Sequence, residues 1–297
     1  MRRMPFILIL ILTGCTTTQS RHAVDSSRLE KPDTAPVPGR VIDSFDAEED
    51  WRYYEVEGSL KPLSFGVSDG AMHLRSDGSA GLIWRATRYD PNAEPLLSWR
   101  WRVSRTFENS SPLAPEFDNF PARLLVGFDA SWRNAGPAAT VWRKKVEDYT
   151  GVTPPARAIC YTFGGGLEPN EGVDAAFGEG RIVVINLRPP GADGEWHNEV
   201  RDIAGDYRAI YGEAPPDVMA LALGCDSHRR KIEVEAWFDD ITAYGPEAFE
   251  QFRNQLGEPA ERHTPPLVWI IMAAATAIAI ASAGTWFWLQ QRQKSSG

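Results

Sequence analysis

Apolar and polar residues alternate with a period of two through the middle of the chain, a pattern typical of β-strands that pack on one face. Asp-Gly pairs at residues 69–70, 77–78 and 193–194 separate several of these segments as turns. We predict strands at residues 71–75, 81–86, 96–103, 122–129, 158–163, 181–187, 218–225 and 231–244.

One segment departs from this period. In residues 201–211, the side chains of Ile203, Tyr207, Ile210 and Tyr211 fall on a single helical face, and a glycine with a Pro-Pro pair follows. Many short strands with one short helix predict a mainly β fold, an antiparallel β-sandwich of jelly-roll type.

The N-terminus has the pattern of an export signal. Two arginines precede a short apolar run, and Leu12-Thr13-Gly14-Cys15 follows it. This tetrapeptide resembles the lipobox of bacterial lipoproteins, in which the cysteine is lipidated. We therefore predict a lipoprotein-type signal peptide over residues 1–14 and lipidation at Cys15. An ordinary signal peptide or a short N-terminal anchor is the alternative.

Near the C-terminus, residues 267–289 contain no charged side chain. At about 1.5 Å per residue, this segment would cover roughly 34 Å as a helix, enough for a bilayer core of about 30 Å. Arg292 and Lys294 follow it without an acidic neighbour, so the positive-inside rule places residues 290–297 in the cytoplasm and the body outside. We predict a transmembrane helix; a buried core helix or a targeting signal is the alternative.

These assignments divide the chain into consecutive parts. Residues 15–40 are rich in Ser, Thr and Pro and predict a disordered tether. Residues 41–245 form the β-domain, and residues 246–266 form a juxtamembrane segment. The body is expected in the periplasm, at the bacterial inner membrane; Thr16 would also permit sorting to the outer membrane.

Charge excludes one class of partner. The chain has 297 residues, and its segment 41–245 holds 33 acidic and 21 basic side chains, a net charge of −12. A surface that binds the phosphate backbone of a nucleic acid needs clustered Lys and Arg side chains, so no nucleic-acid partner is expected.

The predicted strand at residues 96–103 carries the candidate binding residues. Alternation places Trp99 and Trp101 in the core and Arg100 and Arg102 on the opposite face. If the predicted strand at residues 122–129 lies next to this strand in the sheet, Arg123 points to the same face as Arg100 and Arg102. Such an arginine surface would bind anions or sugars, since each guanidinium offers a planar fork of donors. Surface salt bridges to Asp118, Glu199 or Asp202 are the alternative.

Acidic residues offer two further possibilities. Glu195, Glu199 and Asp202 flank Trp196, as carboxylates flank an aromatic platform in glycosidases. Asp239 and Asp240 on the last strand, with Asp43 and Asp46 near the first, are weak candidates for a structural calcium site. The alternative for those four is a solvated acidic edge. No other cofactor is expected, and a disulfide between Cys160 and Cys225 is left open.

Several motifs resemble one bacterial family. They are Leu97-Ser98-Trp99-Arg100-Trp101-Arg102-Val103, Asp118-Asn119-Phe120-Pro121-Ala122-Arg123, Gly194-Glu195-Trp196, Glu199-Val200-Arg201-Asp202, Asp206-Tyr207-Arg208, Pro215-Pro216 and Phe238-Asp239-Asp240-Ile241. Their order is similar to that of the domain of unknown function (DUF) 3047 family, over about residues 41–245. The resemblance implies a fold similar to carbohydrate-binding β-sandwiches and implies no activity. The turn at residues 224–230 departs from the family's Asp- and Asn-rich pattern, which puts a polar site there in doubt.

Together these features predict a membrane-anchored, extracytoplasmic binding module of the bacterial envelope, with no identifiable catalytic machinery. The expected ligand residues are Arg100, Arg102, Arg123 and Trp196. The expected partners are membrane lipid and an envelope glycan or another envelope protein. The alternatives are a carbohydrate-active enzyme of glycosidase or lyase type and a structural envelope module that only contacts other proteins.

Overall fold

The computed structural model describes residues 37–46, 50–55, 61–114, 116–175, 180–256 and 261–262. Cys15, the predicted signal peptide and the predicted span at residues 267–289 lie outside this part of the chain. Within the described part, no helix is both long and apolar enough to cross a membrane.

Fourteen strands are described. They are β1 Arg40–Asp43, β2 Arg52–Glu55, β3 Ser64–Ser68, β4 Ala71–Asp77, β5 Ala80–Tyr89, β6 Leu96–Val103, β7 Ala122–Phe128, β8 Arg157–Phe163, β9 Glu171–Asp174, β10 Ile182–Arg188, β11 His197–Asp202, β12 Val218–Asp226, β13 Glu233–Tyr244 and β14 Glu261–Arg262. The helices are α1 Pro137–Thr150, α2 Ile203–Tyr211 and α3 Phe249–Phe252, with a 3₁₀ turn at Pro246–Ala248.

The strands form two sheets. One has the order β11-β6-β13-β4-β3, with β1 paired to β13, and the other has the order β14-β9-β10-β8-β7-β12-β5-β2. Most neighbours are antiparallel, but β10 runs parallel to β8 and β14 runs parallel to β9. The prediction of a mainly β architecture is confirmed, whereas the purely antiparallel form is wrong.

The two sheets pack face to face through large aromatic side chains. Trp99 and Trp101 of β6 have ring centroids 5.4 and 5.3 Å from those of Tyr161 and Phe163 of β8. All four side chains are at most 2% exposed. Burying such rings contributes the largest apolar areas of any side chains, so this contact fixes the spacing of the sandwich.

The predicted helix is present as α2, and its N-terminus is capped. The Asp202 carboxylate accepts a hydrogen bond from the Gly205 amide at 2.8 Å, and Gly212 ends the helix with a φ of 71°. Tyr207 faces the sheets and is fully buried, with its ring 4.6 Å from Phe128. The prediction of a single helix is wrong, since α1 covers 14 residues.

The N-terminal end of the described domain packs against the segment that follows β13. Val37, Phe249 and Leu256 pack against a small core made of Leu96, Val200, Ala248 and Phe252. The Val37 amide also donates to Gln251 Oε1 at 2.8 Å. Leu96 and Val200 lie on the outer face of the six-stranded sheet, which is the face turned away from the eight-stranded sheet. The 3₁₀ turn and α3 therefore cover one end of that outer face.

Candidate functional site

The other end of the same outer face carries a row of aromatic and basic side chains. Arg102 of β6 lies opposite Trp237 of β13, which lies opposite His73 of β4. On the other side of β6, His197 pairs with Trp101, so Trp196 reaches the position opposite Arg102. Cross-strand neighbours on one face stand close enough for direct contact. The sheet register therefore assembles the row Trp196–Arg102–Trp237–His73, which we call the aromatic row.

Contacts within the aromatic row are close. The Arg102 guanidinium carbon lies 4.2 Å from the Trp237 ring centroid and 5.3 Å from that of Trp196. The rings of His73 and Trp237 stack at 4.8 Å with an interplanar angle of 7°. Because β6 and β4 flank β13 on opposite sides, Arg102 and His73 cover opposite faces of the Trp237 indole. The Trp237 side chain is half-buried.

Arg102 has no hydrogen-bond or ion-pair partner among the described residues. Its Nε is buried without an acceptor, whereas the two Nη groups are not buried. The indoles on either side hold the guanidinium by cation–π contact, which contributes about 0.5–2 kcal/mol per contact. The result is a positioned cation whose open end points away from the sheet.

Arg100, two residues earlier on the same face, is differently placed. Its guanidinium lies 4.8 Å from the Trp196 ring centroid. It also pairs with Asp239, to which Nε donates at 3.0 Å, and lies 3.1 Å from an Asp240 oxygen. Asp239 is only 4% exposed, so the pair compensates a buried carboxylate. The structure therefore brings Arg100, Arg102 and Trp196 together on one face.

The placement of Arg123 beside them is wrong. β6 and β7 are consecutive in sequence, but they belong to different sheets. Arg123 is 8% exposed and donates from Nη2 to the Asp118 carboxylate at 2.9 Å. Its guanidinium also lies 4.7 Å from the Phe120 ring. The long connection at residues 104–121 lets the chain cross to the other sheet, and Arg123 becomes a buried structural cation.

The acidic residues near Trp196 do not converge. Glu199 points into the sandwich, where it accepts from Trp101 Nε1 at 2.8 Å and from Arg188 Nε at 2.6 Å. Asp202 caps α2, and Glu195 is exposed. A glycosidase needs two carboxyl groups facing one bond from opposite sides. These three side chains do not form that arrangement.

The calcium candidates are engaged in other contacts. Asp43 pairs with Arg85 and accepts from Trp51 Nε1 at 2.7 Å. Asp46 accepts from Ser44 at 2.7 Å, and Asp240 neighbours Arg100. Across the described ranges, no group of three or more His, Cys, Asp or Glu side chains is placed to hold a metal ion. A structural calcium ion therefore stays a prediction without a preformed set of ligands in that part of the chain.

The two body cysteines lie on opposite faces of the eight-stranded sheet. Cys225 belongs to the main core with Leu223, whereas Cys160 packs outside with Ala175 and Val184. Both are free and buried. Burial raises the pKa of the Cys160 thiol to about 11 and raises that of Cys225 further. The possible disulfide is therefore absent, and both thiols are unreactive at neutral pH.

Sequence reasoning missed Trp237, His73 and Glu235. The Glu235 carboxylate lies 3.3 Å from His73 Nε2. Alternation along β13 places Glu235 and Trp237 on the outer face, so the signal was present. What the sequence could not supply was the neighbour relation of β13 with both β6 and β4.

A search of the curated proteins found no similar sequence. Among solved structures, the family 11 carbohydrate-binding module of the cellulosomal cellulase Lic26A-Cel5E of Clostridium thermocellum is 10% identical, with a TM-score of 0.35. That similarity covers 75% of this chain and 99% of that one. The carbohydrate recognition domain of Emp47p is 9% identical, with a TM-score of 0.30 and coverage of 69% and 94%.

The family of this chain follows from a match of its sequence to a protein-family model. The model of the family described as "Protein of unknown function (DUF3047)" matches residues 47–242. This range includes both tryptophans of the aromatic row, Arg102 and His73, and most of both sheets. The match confirms the resemblance read from the sequence motifs, and the chain belongs to the DUF3047 family.

Proposed function

We propose that this domain is a glycan-binding module and that the outer face of its six-stranded sheet is the binding surface. The observation that carries the proposal is the aromatic row, in which the open end of Arg102 lies between two half-buried tryptophans. Sugars present an apolar C–H face and a rim of hydroxyl groups. Indole surfaces suit the first, and Arg102, His73 and Glu235 offer donors and acceptors for the second.

Trp196 is the proposed stacking platform. It precedes β11, the edge strand of its sheet, and both of its cation contacts, Arg100 and Arg102, come from β6. No described strand lies beyond β11 on that side. A sugar ring can therefore approach Trp196 from the sheet edge and meet the arginine side chains along the same face.

The test is a glycan array probed with the full-length protein in mild detergent. Trp196→Ala should abolish binding to glycans that the wild type retains. Trp142→Ala is the matched control, because Trp142 is a partly exposed tryptophan (38%) on α1, away from the aromatic row. Equal binding by wild type and Trp196→Ala, or equal loss in both variants, would contradict the proposed site.

We further propose that the domain is held at the bacterial inner membrane, in the periplasm, by lipid on Cys15 and by a helix at residues 267–289. Val37 and Leu256 pack in one apolar cluster, so the chain enters the domain and passes beyond α3 at the same end before residues 261–262 pair with β9. Arg102 lies six residues along β6 from Leu96, about 20 Å at 3.3 Å per residue. The binding surface would thus stand away from the point where the chain enters the domain.

Fractionation of cells tests the two anchors. Cys15→Ala should abolish labelling by a radioactive fatty acid while the protein stays in the membrane fraction. Removing residues 267–289 as well should release it. If the doubly changed protein still sediments with membranes, the proposed anchoring is wrong.

A further inference from the structure

Several charged side chains on the outer face of the six-stranded sheet form ion pairs with each other or with a neighbouring residue, whereas Arg102 does not. Arg75 pairs with Glu233, Lys61 with Asp77 at 2.7 Å, and Arg100 with Asp239. Arg102 has no carboxylate within ion-pair distance. In a chain with a net charge of −9, an arginine without an acidic partner on such a face needs a physical reason.

The local packing keeps acids away from Arg102. The indoles of Trp196 and Trp237 occupy both flanks of its guanidinium. Two carboxylates of β13 on this face lie against other side chains, since Asp239 binds Arg100 and Glu235 lies 3.3 Å from His73 Nε2. The guanidinium cannot lose its proton in a protein, so its positive charge persists.

The open end of this guanidinium has a definite shape. Two Nη groups in one plane match the two oxygens of a carboxylate, and a bidentate pair of this kind is stronger than bonds between neutral groups. The flanking rings restrict the side chain, so less conformational entropy is lost on binding than for a free arginine. A sulfate ester or a phosphate could also accept two bonds from this fork, and the planar carboxylate accepts them with both of its oxygens in the plane of the guanidinium.

We infer that the glycan bound on this face carries a carboxylate, as in a uronic acid, and that Arg102 receives it. The inference rests on the proposed function, because it assigns the ligand class of the same surface. Trp196 and Trp237 then act as positioning residues for the cation as well as apolar contacts for the sugar.

The test compares each acidic glycan with a neutral copy of itself. Alginate, polygalacturonate and hyaluronan oligosaccharides are measured against their carboxyl-reduced forms by calorimetry, using the full-length protein in mild detergent. At least one acidic form should bind at least ten-fold more tightly than its reduced form. Added salt should reduce this difference in affinity, because it screens the charge of the carboxylate and of Arg102. Arg102→Met should remove this preference. Arg102→Lys keeps the charge but loses the planar pair of Nη donors, so this variant should keep only part of the preference for the acidic glycan.

Arg88→Met is the matched control, since Arg88 is an exposed arginine on the eight-stranded sheet, and it should leave the preference intact. Arg102→Met should still unfold in one cooperative transition, with a loss of stability no larger than its two cation–π contacts, because no ion pair is lost. Equal binding of acidic and reduced forms would overturn the inference and leave the glycan-binding function standing. A failure of every array glycan and every oligosaccharide to bind would overturn both. A preference for sulfated glycans without uronic acid would overturn the assignment of a carboxylate.

Discussion

The sequence predicts Arg123 on an open sheet face, whereas the structure buries it in an ion pair with Asp118, and the free energy of unfolding distinguishes the two positions. Its side chain is 9% exposed, and that of its partner Asp118 is 13% exposed. Arg123→Ala would leave the Asp118 carboxylate buried without its cation and would remove the contact with the Phe120 ring. Breaking a buried pair by removing one partner costs about 3–5 kcal/mol, because the remaining charge is desolvated. We expect a loss of that size in the free energy of unfolding.

Urea denaturation of the full-length protein in mild detergent, followed by tryptophan fluorescence, measures this loss. The Asp118→Ala variant and the double variant complete a cycle, in which the double variant should lose less than the sum of the two single losses. Arg88→Ala, at an exposed arginine, should leave the denaturation midpoint unchanged. A loss below about 1 kcal/mol for Arg123→Ala would refute the buried pair, since that is the range of exposed ion pairs.

The loss should also depend on pH. Burial raises the pKa of Asp226, and the nearby Arg123 charge partly opposes that rise. Without Arg123, the pKa of Asp226 rises further. A carboxyl group whose folded pKa exceeds its unfolded value binds its proton more readily in the folded state, so its contribution to stability falls as pH rises through the folded pKa. The deficit of Arg123→Ala should therefore be largest at neutral pH and should shrink as the pH is lowered and Asp226 takes up its proton.

Further outcomes follow from the packing. Tyr207→Ala should lower the free energy of unfolding by about 3–5 kcal/mol, because it truncates a fully buried ring. Tyr207→Phe should lower it by only about 1 kcal/mol, because it removes only the hydrogen bond from Arg157. A loss below about 0.5 kcal/mol for the alanine variant would contradict the buried face of α2. Cys160 and Cys225 should react with a maleimide only in denaturant, without prior reduction, and a requirement for reductant would contradict the two free thiols. Deleting residues 246–256 should expose Leu96 and Val200 and increase binding of a hydrophobic dye, while an unchanged signal would mean that the C-terminal helix does not cover that end of the sheet.

Local patterns in the sequence determined much of the secondary structure. Alternation in residues 96–103 predicts the bounds of β6 and the faces of Trp99, Trp101, Arg100 and Arg102, because successive side chains of a strand point to opposite sides. The spacing of apolar residues before Gly212 likewise predicts α2. The helix α1 escaped this reasoning because only Ala139 and Val146 are buried, while Val141 and Tyr149 are exposed. Its sequence therefore has no clear apolar stripe.

Only the tertiary structure decided which strands are neighbours. Consecutive strands often pair, and that expectation placed Arg123 beside Arg102. The chain instead crosses to the second sheet after β6, so Arg123 is buried with Asp118 and the position opposite Arg102 is taken by Trp237, which lies 135 residues later in the chain. Side-chain direction is a local property of the backbone and can be read from a short segment. Strand pairing depends on long-range contacts summed over the whole sandwich, and no short segment contains them.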